Sequence, residues 1–354
     1  MNLPAPIRLP GIEVSWAGPG LIDGGFCFGT EDGKLIFTTL DGVQVTELDP
    51  VFQHSEAVNG VAYLRNAIAV STRAEVAICE IEATGGGKPK RALFPLGAHG
   101  VLATPSGCFV APLGHSGLMI AKPDGGDHLA VRKNQAQGEG FNFYKAVVLE
   151  RPSLPVVVAC AARTGGITAA ILSQEQEEGG IHSVTFPGQD IVDLCSLRSG
   201  LYPNAICAVA KNGTLAFFRD LLENQDPITL QFEEVRGSAY RLLSSRGHLF
   251  LLTRSGLYVL ADLSRRFLEG EPIALGPTRV RGFPAEAVDM NLVGDRWLLL
   301  VMPDGVMRID LELFLAQTPL AGSNSGEQDY QPLSAHLSSH SANRIFHSQT
   351  LLGV

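Results

Sequence analysis

Long apolar runs and paired cysteines are missing from this chain. No segment approaches the roughly 18 consecutive apolar residues of a membrane helix, and the longest runs, such as Trp297–Met302, have the length of a strand. Met1–Pro6 carries no basic stretch followed by an apolar one, so it does not resemble a secretory signal. The six cysteines are scattered singly, without a Cys-x-x-Cys pair. These features predict a cytoplasmic protein with reduced thiols.

Charge is also scarce. Only 18% of the residues are charged, against about 25% in an average globular protein, whereas 45% are hydrophobic. The formal net charge of −9 argues against general binding to nucleic acid or to an anionic membrane. By contrast, the 39 glycines and 21 prolines are what many short strands joined by tight turns require. The composition therefore favours an all-β protein with a sizeable core.

One hairpin pattern, an apolar strand, a polar turn and a second apolar strand, recurs seven times. The hairpins span Phe26–Phe37, Ile68–Ile78, Cys108–Ile120, Val156–Ile171, Ala205–Phe218, Leu249–Leu260 and Trp297–Ile309. The turns centre on Gly33, Glu75, Gly117, Gly165, Gly213, Gly256 and Gly305. Their mean separation of about 45 residues is the period of a four-stranded propeller blade. The sequence predicts a single-domain, seven-bladed β-propeller over residues 1–354, with four antiparallel strands in each blade.

The predicted blades cover residues 11–50, 51–97, 98–133, 140–187, 188–233, 236–276 and 285–354. Within a propeller blade, strands run from a at the central channel to d at the rim. Strands a are predicted at Val58–Tyr63, Ile191–Leu197, Ala239–Ser244 and Ala287–Val293. Strands d are predicted at Arg91–Leu96, His128–Arg132 and Ile181–Phe186. Segments of helical character, expected between strands c and d, are Leu221–Asn224 and Ser264–Leu268.

The seventh blade shows no prompt outer strand after Val306–Asp310. The segment Ala321–Arg344 is rich in Ser, Gly, Asn, His and Gln, and we expect it to be a mobile polar insertion or tail. Two segments are candidates for the missing strand, Ala5–Pro10 near the N-terminus and Ile345–Leu352 near the C-terminus. Either would close the ring with a terminal strand and remove an exposed sheet edge, and the N-terminal segment is favoured.

The chain resembles the WD-repeat family in a degenerate form. In blade 2, His54, Val58 and Val76–Ile78 follow the family's order of a histidine, a valine and a hairpin. Asp-Leu pairs follow strand c at Asp220-Leu221, Asp262-Leu263 and Asp310-Leu311. The family usually has Trp-Asp-Leu there, and the tryptophan is absent from every blade. The resemblance implies a propeller that serves as an interaction platform, with partners docking on the face that carries the b–c and d–a loops.

A basic side chain lies two residues before the turn centre in five successive blades. Across blades 1 to 7 this series reads Glu31, Arg73, His115, Arg163, Lys211, Arg254 and Pro303. A closed ring would place a cationic arc over blades 2 to 6, interrupted by Glu31, Asp32 and Asp304 in blades 1 and 7. An arc of one sign attracts acidic or phosphorylated segments. Solvated turn residues, with local pairs such as Arg73 and Glu75, would give the same pattern.

Signatures of catalysis are weak. Gly114–Gly117 contains a His-Ser pair but lacks the spacing of a nucleophile elbow, and it reads as a turn. Asp193 and Asp289 fall on strands a and would face the channel, where lactonase-type propellers bind a metal. His336 and His340 have a spacing that suits zinc, but they lie in the serine-rich tail.

The sequence therefore predicts a non-enzymatic protein-interaction scaffold or complex subunit, without cofactor, metal or catalytic residues. Its partner would be a protein, through an acidic or phosphorylated segment. The loop aromatics predicted as apolar anchors beside the cationic arc are Phe52, Phe141 and Phe283. The alternative is a small-molecule-binding or lactonase-like hydrolytic propeller with its site at the central channel. A third possibility is a structural subunit of a larger assembly, on which Ala321–Arg344 becomes ordered.

Overall fold

A computed structural model describes most of the chain up to residue 317. The described ranges are 4–20, 25–38, 45–48, 56–64, 67–80, 91–123, 130–132, 143–149, 156–162, 166–172, 181–184, 190–197, 202–223, 226–233, 236–237, 239–261, 278–284 and 286–317. They form seven four-stranded antiparallel sheets, and in six of them strands a to d follow one another along the chain. The first strands of successive blades lie beside one another around the ring.

The strand β1 (Ile7–Arg8) precedes the first blade. Blade 1 contains β2 (Val14–Pro19), β3 (Phe26–Thr30), β4 (Leu35–Thr38) and β5 (Val45–Leu48). Blade 2 contains β6 (Gly60–Leu64), β7 (Ala67–Ser71), β8 (Val76–Glu80) and β9 (Arg91–Phe94). Blade 3 contains β10 (Leu102–Ala103), β11 (Phe109–Pro112), β12 (Leu118–Ala121) and β13 (Ala130–Arg132). Blade 4 contains β14 (Phe143–Leu149), β15 (Val156–Ala162), β16 (Gly166–Leu172) and β17 (Ile181–Val184).

Blade 5 contains β18 (Ile191–Ser196), β19 (Ile206–Ala210), β20 (Thr214–Phe218) and β21 (Ile228–Gln231). Blade 6 contains β22 (Ala239–Ser245), β23 (His248–Thr253), β24 (Gly256–Leu260) and β25 (Thr278–Arg279). Blade 7 contains β26 (Asp289–Val293), β27 (Trp297–Met302) and β28 (Gly305–Asp310). The seven predicted hairpins are all present as strands b and c, so the predicted seven-bladed, all-β fold is confirmed.

The core consists of seven apolar clusters, each formed by two neighbouring blades. Trp16 of blade 1 packs with Ile68 of blade 2 in one cluster, and Val14 of blade 1 packs with Leu299 of blade 7 in another. The five remaining clusters join the other neighbours in order around the ring. Strands b and c are buried on both faces by the adjoining blades, which explains their nearly continuous apolar sequence. Burial between blades, rather than within one, therefore holds the ring together.

The ring is closed by the N-terminal strand. β1 pairs with β28, with Ile7 opposite Val306 and Arg8 opposite Gly305, so it supplies strand d of blade 7. The backbone continues this pairing, because the Leu9 N–H donates to the Asp304 carbonyl at 3.1 Å. A Cβ at Gly305 would collide with the carbonyl oxygen of Ile7. The favoured N-terminal closure is confirmed, whereas Ile345–Leu352 lies outside the described residues.

A short helix, α1 (Leu311–Gln317), follows β28 where no element was predicted. Asp310 caps it, since its Oδ1 accepts the N–H groups of Glu312 at 3.0 Å and Leu313 at 3.3 Å. Leu311 is fully buried, and the Phe314 ring packs against Phe250 of blade 6 at 6.4 Å between centroids. The helix thus covers the joint between blades 6 and 7.

The Asp-Leu pairs have a structural role after strand c. Asp220 accepts the N–H of Leu222 at 2.8 Å and the side-chain amide of Asn204 at 2.9 Å, while Leu221 is fully buried. Asp310 and Leu311 repeat this division of roles. Residues 221–223 form a turn, so the predicted helical character is wrong there, because the Asp220 side chain organises the backbone as an Asx-type turn instead. Asp262-Leu263, Ser264–Leu268 and Ala321–Arg344 lie outside the described residues.

Candidate interaction face and channel mouth

One face of the ring, called here the turn face, carries the b–c turns and the segments that lead from strand d to the next strand a. These segments cross the turns and bond to them. The Ala98 N–H donates to the Thr72 carbonyl at 2.9 Å, and the Gly237 N–H donates to the Lys211 carbonyl at 2.7 Å. At Gly213 a Cβ would collide with the carbonyl oxygen of the crossing Phe232, and the residue has φ +90°. The crossing therefore fixes both the turn and the side chains it presents.

Four members of the predicted cationic arc lie on described turns of this face. They are Arg73, His115, Lys211 and Arg254, in blades 2, 3, 5 and 6, and all four are exposed. Arg163, the member in blade 4, lies outside the described residues. Glu75, considered above as a local partner of Arg73, is only 1% exposed. The structure thus presents these side chains to solvent at equivalent positions around the ring.

Two of the acidic residues that interrupt the cationic arc in blades 1 and 7 have their negative charge offset by a neighbouring cation. Asp304 of blade 7 forms an ion pair with Arg8, which β1 brings to the same edge. Asp32 of blade 1 lies 3.7 Å from the ammonium of Lys34. Each carboxylate therefore has a cation beside it. The Arg8 pairing could not be read from the hairpins alone, because it depends on which terminus closes the ring.

Blades 5 and 6 carry cations that the hairpin series does not contain. Three further exposed arginines join Lys211 and Arg254: Arg279 ends strand d of blade 6, and Arg236 and Arg281 lie on the crossing segments. We call these five residues the blade 5–6 cationic patch. Arg279 donates from Nη2 to the Ser255 carbonyl of the blade 6 turn at 2.6 Å.

Acidic side chains near the patch are fewer. Glu233 lies 3.7 Å from Arg236, and Asp190 and Glu286 are exposed on neighbouring segments. Among the described residues of these segments, five cations therefore face three carboxylates. This excess arises locally in a chain whose net charge is −9.

Of the three aromatic residues predicted as apolar anchors, one lies within the described part of the chain. Phe283 is half-buried and packs against the cluster between blades 6 and 7, and Phe52 and Phe141 lie outside the described residues. Val288, on the segment that leads into β26, is 51% exposed, and its N–H donates to the Val301 carbonyl at 2.9 Å. Val288 was not predicted from the sequence, because a single valine beside a strand carries no distinguishing signal.

Four charged side chains form an alternating row along the innermost strands of blades 4 to 7. Lys145, Asp193, Arg241 and Asp289 recur at intervals of 48 residues, one in each strand a. Lys145 Nζ lies 3.9 Å from Asp193 Oδ1, and Arg241 Nε lies 3.9 Å from Asp193 Oδ2 and 3.3 Å from Asp289 Oδ1. We call this row the channel girdle. It lies toward the turn-face end of the channel, since each residue is near the start of its strand.

Backbone bulges and hydrogen bonds position the girdle. A shift of register precedes Lys145, Asp193 and Arg241 in their strands, and such bulges turn the next side chain to a new direction. Asp193, 2% exposed, accepts the N–H of Leu242 on the next blade at 2.8 Å. Arg241 donates to the Met290 carbonyl at 3.3 Å. Asp193 and Arg241 therefore each join their own blade to the following one.

The charges in the girdle act on one another. Burial lowers the pKa of Lys145 and nearby Arg241 adds to this, against the opposing effect of Asp193 and Asp289. Burial also disfavours charge on Arg241, but the carboxylates of Asp289 and Asp193 outweigh it and raise the pKa of Arg241. Arg241 is thus firmly cationic, whereas Lys145 is the less compensated cation of the pair.

Neutral side chains continue the blade-to-blade links around the ring. Asn291 of blade 7 accepts from Arg241 Nη2 at 3.0 Å and donates to the Ala17 carbonyl of blade 1 at 2.6 Å. Ser15 of blade 1 donates to the Val58 carbonyl at 2.8 Å, and Asn59 donates to the Ala98 carbonyl at 2.6 Å. The girdle is therefore the charged part of a longer series of hydrogen bonds that connects blade to blade.

The channel carboxylates are not arranged as a metal site. Arg241 lies between Asp193 and Asp289, so a guanidinium occupies the position where a shared cation would bind. No group of three or more His, Cys, Asp and Glu side chains in the described part of the chain could hold a metal ion. His336 and His340 lie outside it.

The sequence Gly114–Gly117 forms the b–c turn of blade 3, as predicted. The Gly117 N–H donates to the Gly114 carbonyl at 3.2 Å, and Gly114 is bridged to Phe143 of blade 4. Elsewhere, no helix among the described residues is both long and apolar enough to span a membrane.

Comparison with known proteins gives a likeness of fold. No protein-family model and no curated protein matches the chain. The β-propeller domain of Cps50 (Swd1) from Myceliophteria thermophila superposes with a TM-score of 0.62 at 14% identity, over 87% of this chain and 98% of that one. YCF48, solved bound to a D1 peptide, superposes with a TM-score of 0.60 at 12% identity, over 87% of this chain and 95% of that one. The chain is a seven-bladed β-propeller of the kind seen in these structures.

Proposed function

We propose that this propeller is a non-enzymatic protein-interaction platform whose turn face binds an acidic or phosphorylated segment of a protein partner. The observation that carries the proposal is the blade 5–6 cationic patch. In it, Lys211 and Arg254 on the turns lie beside Arg279 at the end of β25 and beside Arg236 and Arg281 on the crossing segments. Guanidinium groups bind carboxylates and phosphates through two parallel hydrogen bonds, which suits such a partner.

The rigidity of the ring supports this function. Seven apolar clusters and the hydrogen bonds between blades hold the turns in place, and the crossing segments bond to the turns themselves. A preformed surface loses little conformational freedom on binding, so the ordering cost falls mainly on the partner. The described members in blades 2 and 3, Arg73 and His115, extend the surface beyond the patch.

A protein of the same fold provides a precedent for peptide binding. YCF48 was solved with a D1 peptide bound, which is a property of that protein. For this chain we infer peptide binding from the exposed cations, with half-buried Phe283 and exposed Val288 offering apolar contacts on the same face. In protein interfaces, a few apolar residues surrounded by polar ones often contribute most of the binding free energy.

The proposal is tested by affinity capture with three forms of the protein as bait. These are the wild type, the charge-reversed Lys211→Glu/Arg254→Glu variant, and a Lys122→Glu control. Lys122 follows β12 and so lies at the opposite end of its blade. Partners should be retained by the wild type and the control, and lost from the double variant. Raising salt from about 0.1 M to about 1 M should release them, because the Debye length falls from about 10 Å to about 3 Å. Equal retention by all three baits would overturn the proposal.

A further inference from the structure

At the Lys145 end of the channel girdle, the N–H groups of Lys145 and Arg241 outnumber the oxygens of Asp193 and Asp289. Asp193 Oδ2 is engaged by the Leu242 N–H at 2.8 Å, and Asp289 Oδ1 by the Met290 N–H at 2.8 Å and by Arg241 Nε. Two carboxylate oxygens remain, and the Asp193 side chain is only 3% exposed. Two of the four carboxylate oxygens are thus occupied by hydrogen bonds within the protein.

The cations keep unused donors. The Lys145 ammonium has three N–H groups, and its ion-pair contact, to Asp193 Oδ1 at 3.9 Å, is longer than a hydrogen bond. Arg241 uses Nε and Nη2 for the Met290 carbonyl and Asn291, and among the described contacts Nη1 donates to none of the protein's acceptors. The Lys145 side chain is 26% exposed and that of Arg241 22% exposed, so both reach the solvent at the channel mouth.

We propose that the channel mouth beside Lys145 and Arg241 binds a small oxyanion, a carboxylate or a phosphate group. The oxyanion accepts hydrogen bonds from the Lys145 ammonium and from Arg241 Nη1, and the ion pairs with Asp193 and Asp289 position the two cations. Charge-assisted hydrogen bonds of this kind are shorter and stronger than neutral ones. The partial burial of Lys145 strengthens its attraction for an anion, because fewer waters compete.

This site differs from the surface proposed for partner docking. It lies on strands a around the channel, whereas the blade 5–6 cationic patch lies on turns, crossing segments and the end of β25. The bound group is an oxyanion in either case. It belongs either to a free small molecule or to an acidic side chain that a partner inserts. The binding measurements below distinguish the two.

The test compares wild-type protein with Lys145→Met and with Lys122→Met as a matched control. Isothermal titration calorimetry at constant ionic strength uses three probes, which are inorganic phosphate, citrate and a hexaglutamate peptide. Wild type and control should bind at least one probe saturably at one site, and Lys145→Met should bind it at least about tenfold more weakly. Binding of phosphate or citrate identifies a free oxyanion, and binding of the peptide alone identifies an inserted side chain. No saturable binding of any probe, or equal binding by both variants, overturns the proposal.

A second measurement does not depend on the folding of a variant. In wild-type protein, a saturating probe should slow acylation of the Lys145 amine at least about tenfold, as followed by peptide mass spectrometry, without slowing that of Lys122. If the probe slowed acylation of both lysines equally, or of neither, the proposed site would be contradicted.

The Lys211→Glu/Arg254→Glu variant should keep its affinity for phosphate or citrate, so failure of the proposed partner docking leaves this result unaffected.

Discussion

Replacing Arg241 by methionine removes the guanidinium that joins the innermost strands of blades 5, 6 and 7. Arg241 lies 3.3 Å from Asp289 and 3.9 Å from Asp193, and it donates to the Met290 carbonyl. Methionine keeps most of the side chain's apolar length but none of its donors. The substitution leaves Asp193, 2% exposed, with Lys145 as its nearest cation.

The expected loss of stability lies between two limits. An exposed ion pair contributes at most about 1 kcal/mol, whereas removing one partner of a buried pair costs about 3–5 kcal/mol. Asp193 is buried, but the Arg241 and Asp289 side chains are 22% and 26% exposed, so we expect about 3 kcal/mol near pH 7. For 354 residues the unfolding entropy is about 0.7 kcal/mol per kelvin, and the melting temperature should fall by roughly 4 °C.

Calorimetry and guanidinium unfolding of three variants measure these effects. Arg246→Met is the control, since Arg246 pairs with Glu312 at 3.6 Å with both side chains well exposed, and should cost at most about 1 kcal/mol. Arg241→Met/Asp193→Asn should recover part of the loss, because asparagine still accepts the Leu242 N–H without a buried charge. An Arg241→Met variant as stable as the control, or a double variant less stable than the single one, would refute the reasoning.

Three further predictions concern ring closure, a buried thiol and the turn face. Gly305→Ala should displace β1 and cost about 1–3 kcal/mol, with faster exchange of the Leu9 amide, and unchanged exchange would count against closure by β1. Burial raises the pKa of Cys27 to about 12, so iodoacetamide at about pH 8 should leave it unmodified until denaturant is added. Labelling at equal rates in native and unfolded protein would contradict that. Lys211→Glu/Arg254→Glu should weaken partner binding about tenfold and flatten its salt dependence, and a slope equal to wild type would argue against the patch.

The repeated hairpins made the architecture accessible from sequence. Strands b and c are buried on both sides by neighbouring blades, so they are almost wholly apolar, and turn glycines such as Gly213 mark where they reverse. Other elements left weaker signals. β10 has two residues, and α1 depends on the Asp310 cap and on packing of Phe314 against blade 6. These depend on tertiary contacts that a local pattern does not contain.

The candidate sites were only partly accessible. The turn cations followed from hairpin alignment. Arg236 and Arg281 belong to crossing segments and Arg279 to the short strand β25, and their approach to the turns depends on tertiary contacts. The channel girdle did leave a sequence signal, four charged residues of alternating sign at intervals of 48 residues within apolar strands. Its carboxylates were predicted from the sequence as possible metal ligands, whereas its cations, which form ion pairs between blades, were not predicted.

Hydrogen–deuterium exchange of the protein with and without its captured partner tests the central claim most directly. If the turn face is the platform, the partner should slow exchange in the turns that contain Lys211 and Arg254 and in the crossing segment around Val280. Exchange in α1 and in the turn around Gly294, both at the opposite end of their blades, should be unchanged. Protection confined to α1 and the Gly294 turn would show that the partner docks on the other face and would contradict the account.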